Sequence, residues 1–415
     1  MPIYEKFTEL DEVDVIIAGG GTAGCVVAGR LAAADPTLEI LVIEGGENNY
    51  QKSNVVNTAL FREHLIPTSQ TAIFYKGKEQ AELGGRAPTI STGGILGGGS
   101  SINIALYSRP VARDFDSWNT PGWSSTDMIP LLKRLESYHG PGNDEVHGRN
   151  GPVQVSGGSV RGQRSEDDLV KALQAIGYKE SPDLQDLYSG NGFERAQKWI
   201  SQCGKRQDAA HTYLHPLLQD GQHPNLHVLC QAKVNKVIFD EQKRACGVEY
   251  TPNSAYMIET STTTRPKKTI KARKLVVVSA GALGTPLLLE RSGVGDGEIL
   301  CRAGVQPVAD VPGVGREYQD HQLIAYSYAT KLEEGETIDF LYDGRMSREE
   351  AIKQKLPVLG WNACDVALKI RPTEEEVQQW SSAMQEMWQR DFAPYPDKPF
   401  MMMAMVTRQV KHQYA

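Results

Sequence analysis

Val13-Asp14-Val15-Ile16-Ile17-Ala18, Gly19-Gly20-Gly21-Thr22-Ala23-Gly24 and Cys25-Val26-Val27-Ala28-Gly29-Arg30-Leu31-Ala32-Ala33-Ala34 follow one another near the start of the chain. The first run is short, apolar and β-branched, as a buried strand should be. The second fits G-x-G-x-x-G. The third reads as a helix stopped by Asp35-Pro36. Glu39-Ile40-Leu41-Val42-Ile43 reads as a second strand, and Glu44 follows it, 20 residues after the last motif glycine. In such a unit Gly19 makes a turn that a Cβ would obstruct. Gly21 lets backbone approach a pyrophosphate, and Gly24 lets helix pack on strand. The first turn of the helix offers free N–H groups and the positive dipole end to the phosphates. Glu44 is placed to accept hydrogen bonds from a ribose diol. A lone motif is weak in a chain with 40 glycines, but the flanking strand, helix and acid make a dinucleotide site. The unit alone leaves NAD and FAD both open.

The chain has 415 residues, enough for two or three domains, and 40% are hydrophobic. Its net charge of −7 and the lack of a long basic stripe argue against nucleic acid as a partner. Arg265, Lys267, Lys268, Lys271, Arg273 and Lys274 form the densest basic stretch and read as a solvated loop and strand edge. No stretch reaches the ~20 apolar residues of a membrane helix. The first twelve residues have no apolar signal core. Six scattered cysteines without a C-x-x-C pair fit a reduced intracellular compartment.

A second glycine cluster, Gly93-Gly94-Ile95-Leu96-Gly97-Gly98-Gly99-Ser100-Ser101, precedes Ile102-Asn103. Such density suits a loop passing close to something flat or charged. Residues 112–138 read as two helical pieces broken at Pro121-Gly122-Trp123. Residues 165–177 read as an amphipathic helix with Leu169, Leu173 and Ile176 on one face. Residues 206–221 read as another helix. His211 and His215 there have the spacing of a metal pair, but no third ligand is near, and ordinary helix residues are the better reading. Residues 226–231, 233–240 and 245–251 read as a β-meander, followed by a polar loop at 261–266. Residues 274–279 read as an apolar strand leading through Ala280-Gly281 into a helix at 283–292. That second crossover suits the same parallel sheet. Residues 400–406 read as a core strand.

Three motifs together resemble the glucose–methanol–choline (GMC) oxidoreductase family of FAD-dependent enzymes. They are the fingerprint at 19–24 with Glu44, the glycine loop at 93–103, and the run Gly281-Ala282-Leu283-Gly284-Thr285-Pro286 continuing to Gly295. Pro312-Gly313-Val314-Gly315 with Asp320-His321 matches a further family element. Glu44-Gly45-Gly46-Glu47-Asn48-Asn49 and Ile370-Arg371-Pro372-Thr373 are similar to the methanol-oxidase type. The resemblance implies an α/β Rossmann-type FAD-binding domain with a discontinuous α+β substrate-binding domain. We expect residues 1–155 and 226–330 in the first, and 156–225 and 331–415 in the second.

It also implies FAD-dependent oxidation of a small primary alcohol to an aldehyde, with O2 as acceptor and hydrogen peroxide as product. The implied FAD ligands are Gly19, Gly21, Thr22, Ala23, Gly24, Glu44, Gly45, Leu96, Gly98, Ser100, Ser101, Asn103, Val234, Gly281, Asp320 and His321. Val234 would lie against the adenine through its backbone, and Asn103 near the flavin ring. Methanol oxidases tend to have an aromatic residue after that Asn, where Ile104 stands here. The family base, a His paired with His or Asn, is expected beyond residue 415, so no catalytic residue is assigned and impaired turnover is expected. Nothing near Lys411-His412-Gln413 resembles it, and Gln413-Tyr414-Ala415 is not a peroxisomal address. An intracellular location, peroxisomal or cytoplasmic, and a homo-oligomer also follow from the resemblance. Two other readings compete with a working oxidase: a non-catalytic FAD-binding protein, and an NAD-dependent dehydrogenase. The glycine signatures beyond residue 90 speak against the nicotinamide reading.

Overall fold

The computed structural model describes residues 3–256 and 266–407 and divides the chain into two compact units. The first comprises residues 1–52, 62–103 and 208–325; the second comprises 53–61, 104–207 and 326–415.

The first unit is built on a seven-stranded sheet. Its strands are β1 (Ile3–Glu5), β2 (Glu12–Ala18), β3 (Ile40–Ile43), β6 (Leu226–Cys230), β7 (Ala232–Phe239), β8 (Ala245–Pro252) and β9 (Lys268–Val278), in the order β1-β6-β3-β2-β9-β8-β7. A separate hairpin pairs β4 (Ala72–Lys76) with β5 (Thr89–Gly93). The five strands from β1 to β9 in that order run parallel, and β8 and β7 run antiparallel. The apolar run at 13–18 is explained by burial on both faces. Val15 and Ile17 pack with Cys25, Ala28 and Ala32 of helix α1 (Thr22–Ala34). Val13 and Ile16 pack with Leu41, Val248 and Tyr250 on the other side. The small residues of α1 allow close packing: a Cβ on Gly29 would lie 2.4 Å from the Tyr213 carbonyl oxygen. Because β3 and β9 flank β2 on opposite sides, the sheet changes direction at β2. In open α/β sheets ligands bind outside the carboxyl ends of the strands at such a point.

Several sequence expectations need correction. Residues 226–251 are no meander. β7 and β8 form the expected hairpin, but β6 pairs in parallel with β3 and β1 across the sheet. Gln231, at φ 56, turns the chain between β6 and β7. The helix expected from 206 is a π-helical turn at Ala210–Leu214 followed by His215–Gln219. Of these units the first leaves off at Asn103 and resumes at Asp208, which is a division by packing and leaves the domain bounds expected near 155 and 225 as an expectation. Core membership explains this. Tyr107, Tyr138 and Val155 share one core with Trp199, whereas Ala209, Ala210, Leu214 and Leu218 pack with α1. Lys267, Lys268, Arg273 and Lys274 pair with Glu249, Asp11, Glu12 and Asp14 along the strand edge. The loop expected at 261–266 lies outside the described residues except for Pro266, as do the expectations on 411–415.

The second unit carries a three-stranded sheet, Met401–Ala404 beside Val366–Ile370 beside Gly192–Arg195. The helix Gln163–Ala175 packs on it through Val170 and Leu173. Ile176 is 71% exposed instead of sharing that face, because the helix ends at Ala175. Residues 401–404 do form a strand, but not a core one. It lies at the sheet edge, with Met401, Met402 and Met403 about half exposed. The interior of this unit holds charge. Lys198 Nζ lies 2.6 Å from Asp365 Oδ1, both side chains being fully buried. Asp365 Oδ2 accepts from Trp361 Nε1 and Gly162 N, each at 2.8 Å. Lys198→Met should leave that carboxylate uncompensated and destabilise the unit by ~3–5 kcal/mol. Urea unfolding followed by tryptophan fluorescence reads this, and an unchanged midpoint would refute it.

Candidate dinucleotide site

The site lies in the first unit, where β2 and β9 end. Gly19 has φ +110, and a Cβ there would lie 2.5 Å from the Ser279 carbonyl oxygen. A Cβ on Gly24 would lie 2.1 Å from the Gly19 carbonyl oxygen. Both positions therefore demand glycine. Ser279, just after β9, donates its Oγ–H to Gly19 O (2.9 Å) and its N–H to Ala18 O (2.9 Å). Helix α1 then starts at Thr22 with Gly21 as N-cap, no side chain capping it and no acid in its first turn. Its leading N–H groups and positive dipole end stay available to an anion.

The second glycine cluster closes on this turn. Gly97 N donates to Gly20 O at 2.8 Å, Thr22 Oγ1 donates to Gly97 O at 3.2 Å, and Ser100 N donates to Thr22 Oγ1 at 3.3 Å. Gly98 has φ +56, and a Cβ on it would lie 2.7 Å from Gly21 Cα. Leu96 is buried beneath Gly20. Two glycines behave differently. A Cβ on Gly21 would meet nothing nearer than 3.9 Å, and one on Gly99 nothing within 4 Å. The protein makes no use of that space, which fits a pyrophosphate lying against backbone.

Glu44 is buried, and both carboxylate oxygens already accept backbone N–H: Gly20 on Oε2 and Gly46 on Oε1, each at 2.8 Å. Burial pushes its carboxyl upward, against these donors. Glu44 thus shapes the turn. Gly45 O accepts from Asn253 Nδ2 at 2.7 Å. Val234 lies on β7 opposite Tyr250. Asn103 caps the short helix Gly99–Ile102, and Gly281, at φ +81, opens the helix after β9. Ala23 is exposed in the first turn of α1. Asp320 and His321 are exposed. Asp320 accepts from Tyr318 Oη and His321 N, and no hydrogen bond of either runs to the glycine turn or loop among the described residues.

Sequence reading gave no role to Ser279, Asn49 and Asp208, and took His215 for an ordinary helix residue. Asn49 and Asp208 are fully buried behind the glycine loop. Asn49 bonds Ser101, Asp208 and His215, and His211 bonds Asp208. These are the histidines whose spacing raised a metal pair; here they serve hydrogen bonding. Burial pushes the His215 imidazole down to about 4. The acid at 208, three residues before His211, was the available signal. No described helix is long and apolar enough to cross a membrane.

A family model described as GMC oxidoreductase matches residues 13–323. The alcohol oxidase of Candida boidinii is 38% identical over 404 residues, covering 96% of this chain and 59% of that protein. The chain thus spans about three fifths of the length of that relative. A solved FAD-dependent oxidoreductase from Chaetomium thermophilum is 27% identical with TM-score 0.71, over 86% of this chain and 61% of that one. A formate oxidase from Aspergillus oryzae shares the fold at TM-score 0.79 and 20% identity, over 97% of this chain and 69% of that one.

Two predictions follow from the geometry. Gly98→Ala should destabilise the unit by ~1–3 kcal/mol through its clash and strained φ, whereas Gly21→Ala should not. Equal thermal shifts for the two variants would contradict the open space at Gly21. His215 binds its proton less firmly folded than unfolded, where it titrates near 6.5. The unfolded chain therefore gains that proton first as pH falls. The stability contributed by His215 declines from pH ~6.5 to ~4, by at most ~3 kcal/mol, and is level below. His215→Gln should remove that slope from the melting profile, and an unchanged slope would show that other groups carry it.

Proposed function

Because this chain belongs to the GMC oxidoreductase family, we propose that its first unit holds FAD for oxidation of a small primary alcohol to the aldehyde, with O2 as acceptor and hydrogen peroxide as product. By family it is an FAD-dependent oxidoreductase. One observation carries the reading: a glycine turn and a glycine loop bound to each other beside an uncapped helix start, with open space at Gly21 and Gly99. Bound there, FAD would supply the hydride acceptor for the alcohol carbon and the path of the electrons to O2.

The chain's own residues hold and orient. Gly19, Gly21, Thr22, Ala23 and Gly24 would offer backbone to the pyrophosphate. Glu44 and Gly45 would face the adenosine ribose, and Val234 the adenine. Leu96, Gly98, Ser100, Ser101 and Asn103 would set the loop along the cofactor. Gly281 would line the site from the end of β9. Asp320 and His321 are kept in the reading on family likeness alone. Likeness to the alcohol oxidases also supports an intracellular homo-oligomer, peroxisomal or cytoplasmic.

A second reading, FAD binding without turnover, has one supporting observation. Alcohol oxidation needs a base for the hydroxyl proton. In the first unit, His64, His211, His215, His223 and His227 are bonded to Thr71, Asp208, Asn49, Asp220 and Glu39. Those five rings are already engaged, and none of them is assigned as that base.

The purified chain should carry flavin that denaturation releases, seen by its absorbance and fluorescence. Nicotinamide in its place, or no flavin, would sink the cofactor assignment. Peroxide from methanol or ethanol in a peroxidase-coupled assay supports the oxidase, and bound flavin without peroxide supports the second reading.

A further inference from the structure

The polar cluster behind the glycine loop has only one consistent set of hydrogen-bond directions. An ionised Asp208 can only accept, so Asn49 presents Nδ2 to it at 2.9 Å and to Ser101 Oγ at 3.0 Å. Asn49 Oδ1 then faces His215 Nε2 at 2.8 Å and must accept, which assigns the His215 proton to Nε2. Its Nδ1 is left buried with no hydrogen-bond partner among the described residues. His211 follows the same logic. Its Nε2 accepts from Gln51 N at 3.3 Å, so its proton sits on Nδ1 and goes to Asp208 Oδ2 at 2.6 Å.

The chain of bonds continues into the loop. Ser101 Oγ accepts from Asn49 and donates to Leu96 O at 2.8 Å. Ser100 Oγ accepts from Ala209 N at 3.0 Å and donates to Gly97 O at 2.6 Å. Gly97 sits tight against the cluster: a Cβ there would lie 2.2 Å from Ser101 Oγ and 3.2 Å from Asn49 Nδ2. Five of residues 93–99 are glycine, so this loop has the largest backbone entropy to lose and few side chains to anchor it. Its order must come from groups outside it.

We propose that Asn49, Asp208 and His215 are positioning residues for the dinucleotide cradle. They clamp residues 96–101 from behind, and so hold Gly98, Gly99 and Ser100 against Gly21 and Thr22. The clamp is a property of the protein alone; its consequence for affinity rests on the flavin reading above.

Asn49→Leu keeps the volume and removes all three bonds. Amide hydrogen exchange in residues 97–103 should quicken about tenfold or more, as expected when a buried hydrogen-bonded group loses its partners. Exchange in β2 and β3 should hold. The FAD Kd, read from flavin fluorescence, should weaken about tenfold. His215→Leu should do the same, whereas His215→Gln, which keeps a donor for Asn49 Oδ1, should recover most of the loss. If Asn49→Leu does not fold, Ser101→Ala removes the joint to Asn49 together with the bond from Ser101 Oγ to Leu96 O and should show the same exchange pattern. Unchanged loop exchange in the folded variants would overturn the clamp. Failure of the unsubstituted chain to bind FAD would sink the cofactor reading instead, and the exchange data would still decide the clamp.

Discussion

The first unit depends on three backbone segments meeting where no Cβ fits. Gly19 lies under Ser279, and Gly24 lies on Gly19, at distances that exclude any side chain. Ser279 fastens the meeting by donating both N–H and Oγ–H across the β2–β9 pair. This contact sets the angle at which α1 leaves β2, and hence where its unpaired N–H groups point. The same geometry that packs the helix presents its start to a phosphate.

What faces that helix start is a loop nearly devoid of side chains. A loop of glycines can approach a ligand closely, but it cannot order itself. The structure resolves this by division of labour. Gly20, Thr22 and Ser100 tie the loop to the turn in front. Asn49 and Asp208 tie it to the segment starting at 208 behind. Glu44 braces the turn from a third direction through Gly20 and Gly46. Buried polar groups cost stability unless they are satisfied, and in the cluster of Asn49, Ser101, Asp208 and His215 it is His215 Nδ1 that is left without a partner among the described residues.

The second unit solves a related problem with charge. Lys198 and Asp365 are both removed from water, and Trp361 and Gly162 complete the carboxylate. His147 lies between Glu136 and Asp183, stacked on Tyr138 with ring centroids 3.7 Å apart. Desolvation disfavours its charge, but the two carboxylates outweigh it and raise the imidazole above its ordinary value. Such networks specify one arrangement more than they add net stability.

The sequence by itself determined the β2–α1–β3 unit, the crossover at 281 and the glycine loop. Each is written in neighbouring residues: apolar runs, glycine spacing and an acid at a set distance. It also determined the family, because three local motifs recur at separate places along the chain. Tertiary structure alone decided the rest. The placing of β6 beside β3, not β7, depends on pairing between strands some 190 residues apart, which no local period records. The unit boundaries at 103 and 208 depend on which core receives Tyr107 and Leu214. The meeting of Asn49 with Asp208 and His215 joins residues about 160 positions apart. A polar residue carries no periodic signal of its partner, so only the folded chain shows that these side chains stand behind the loop.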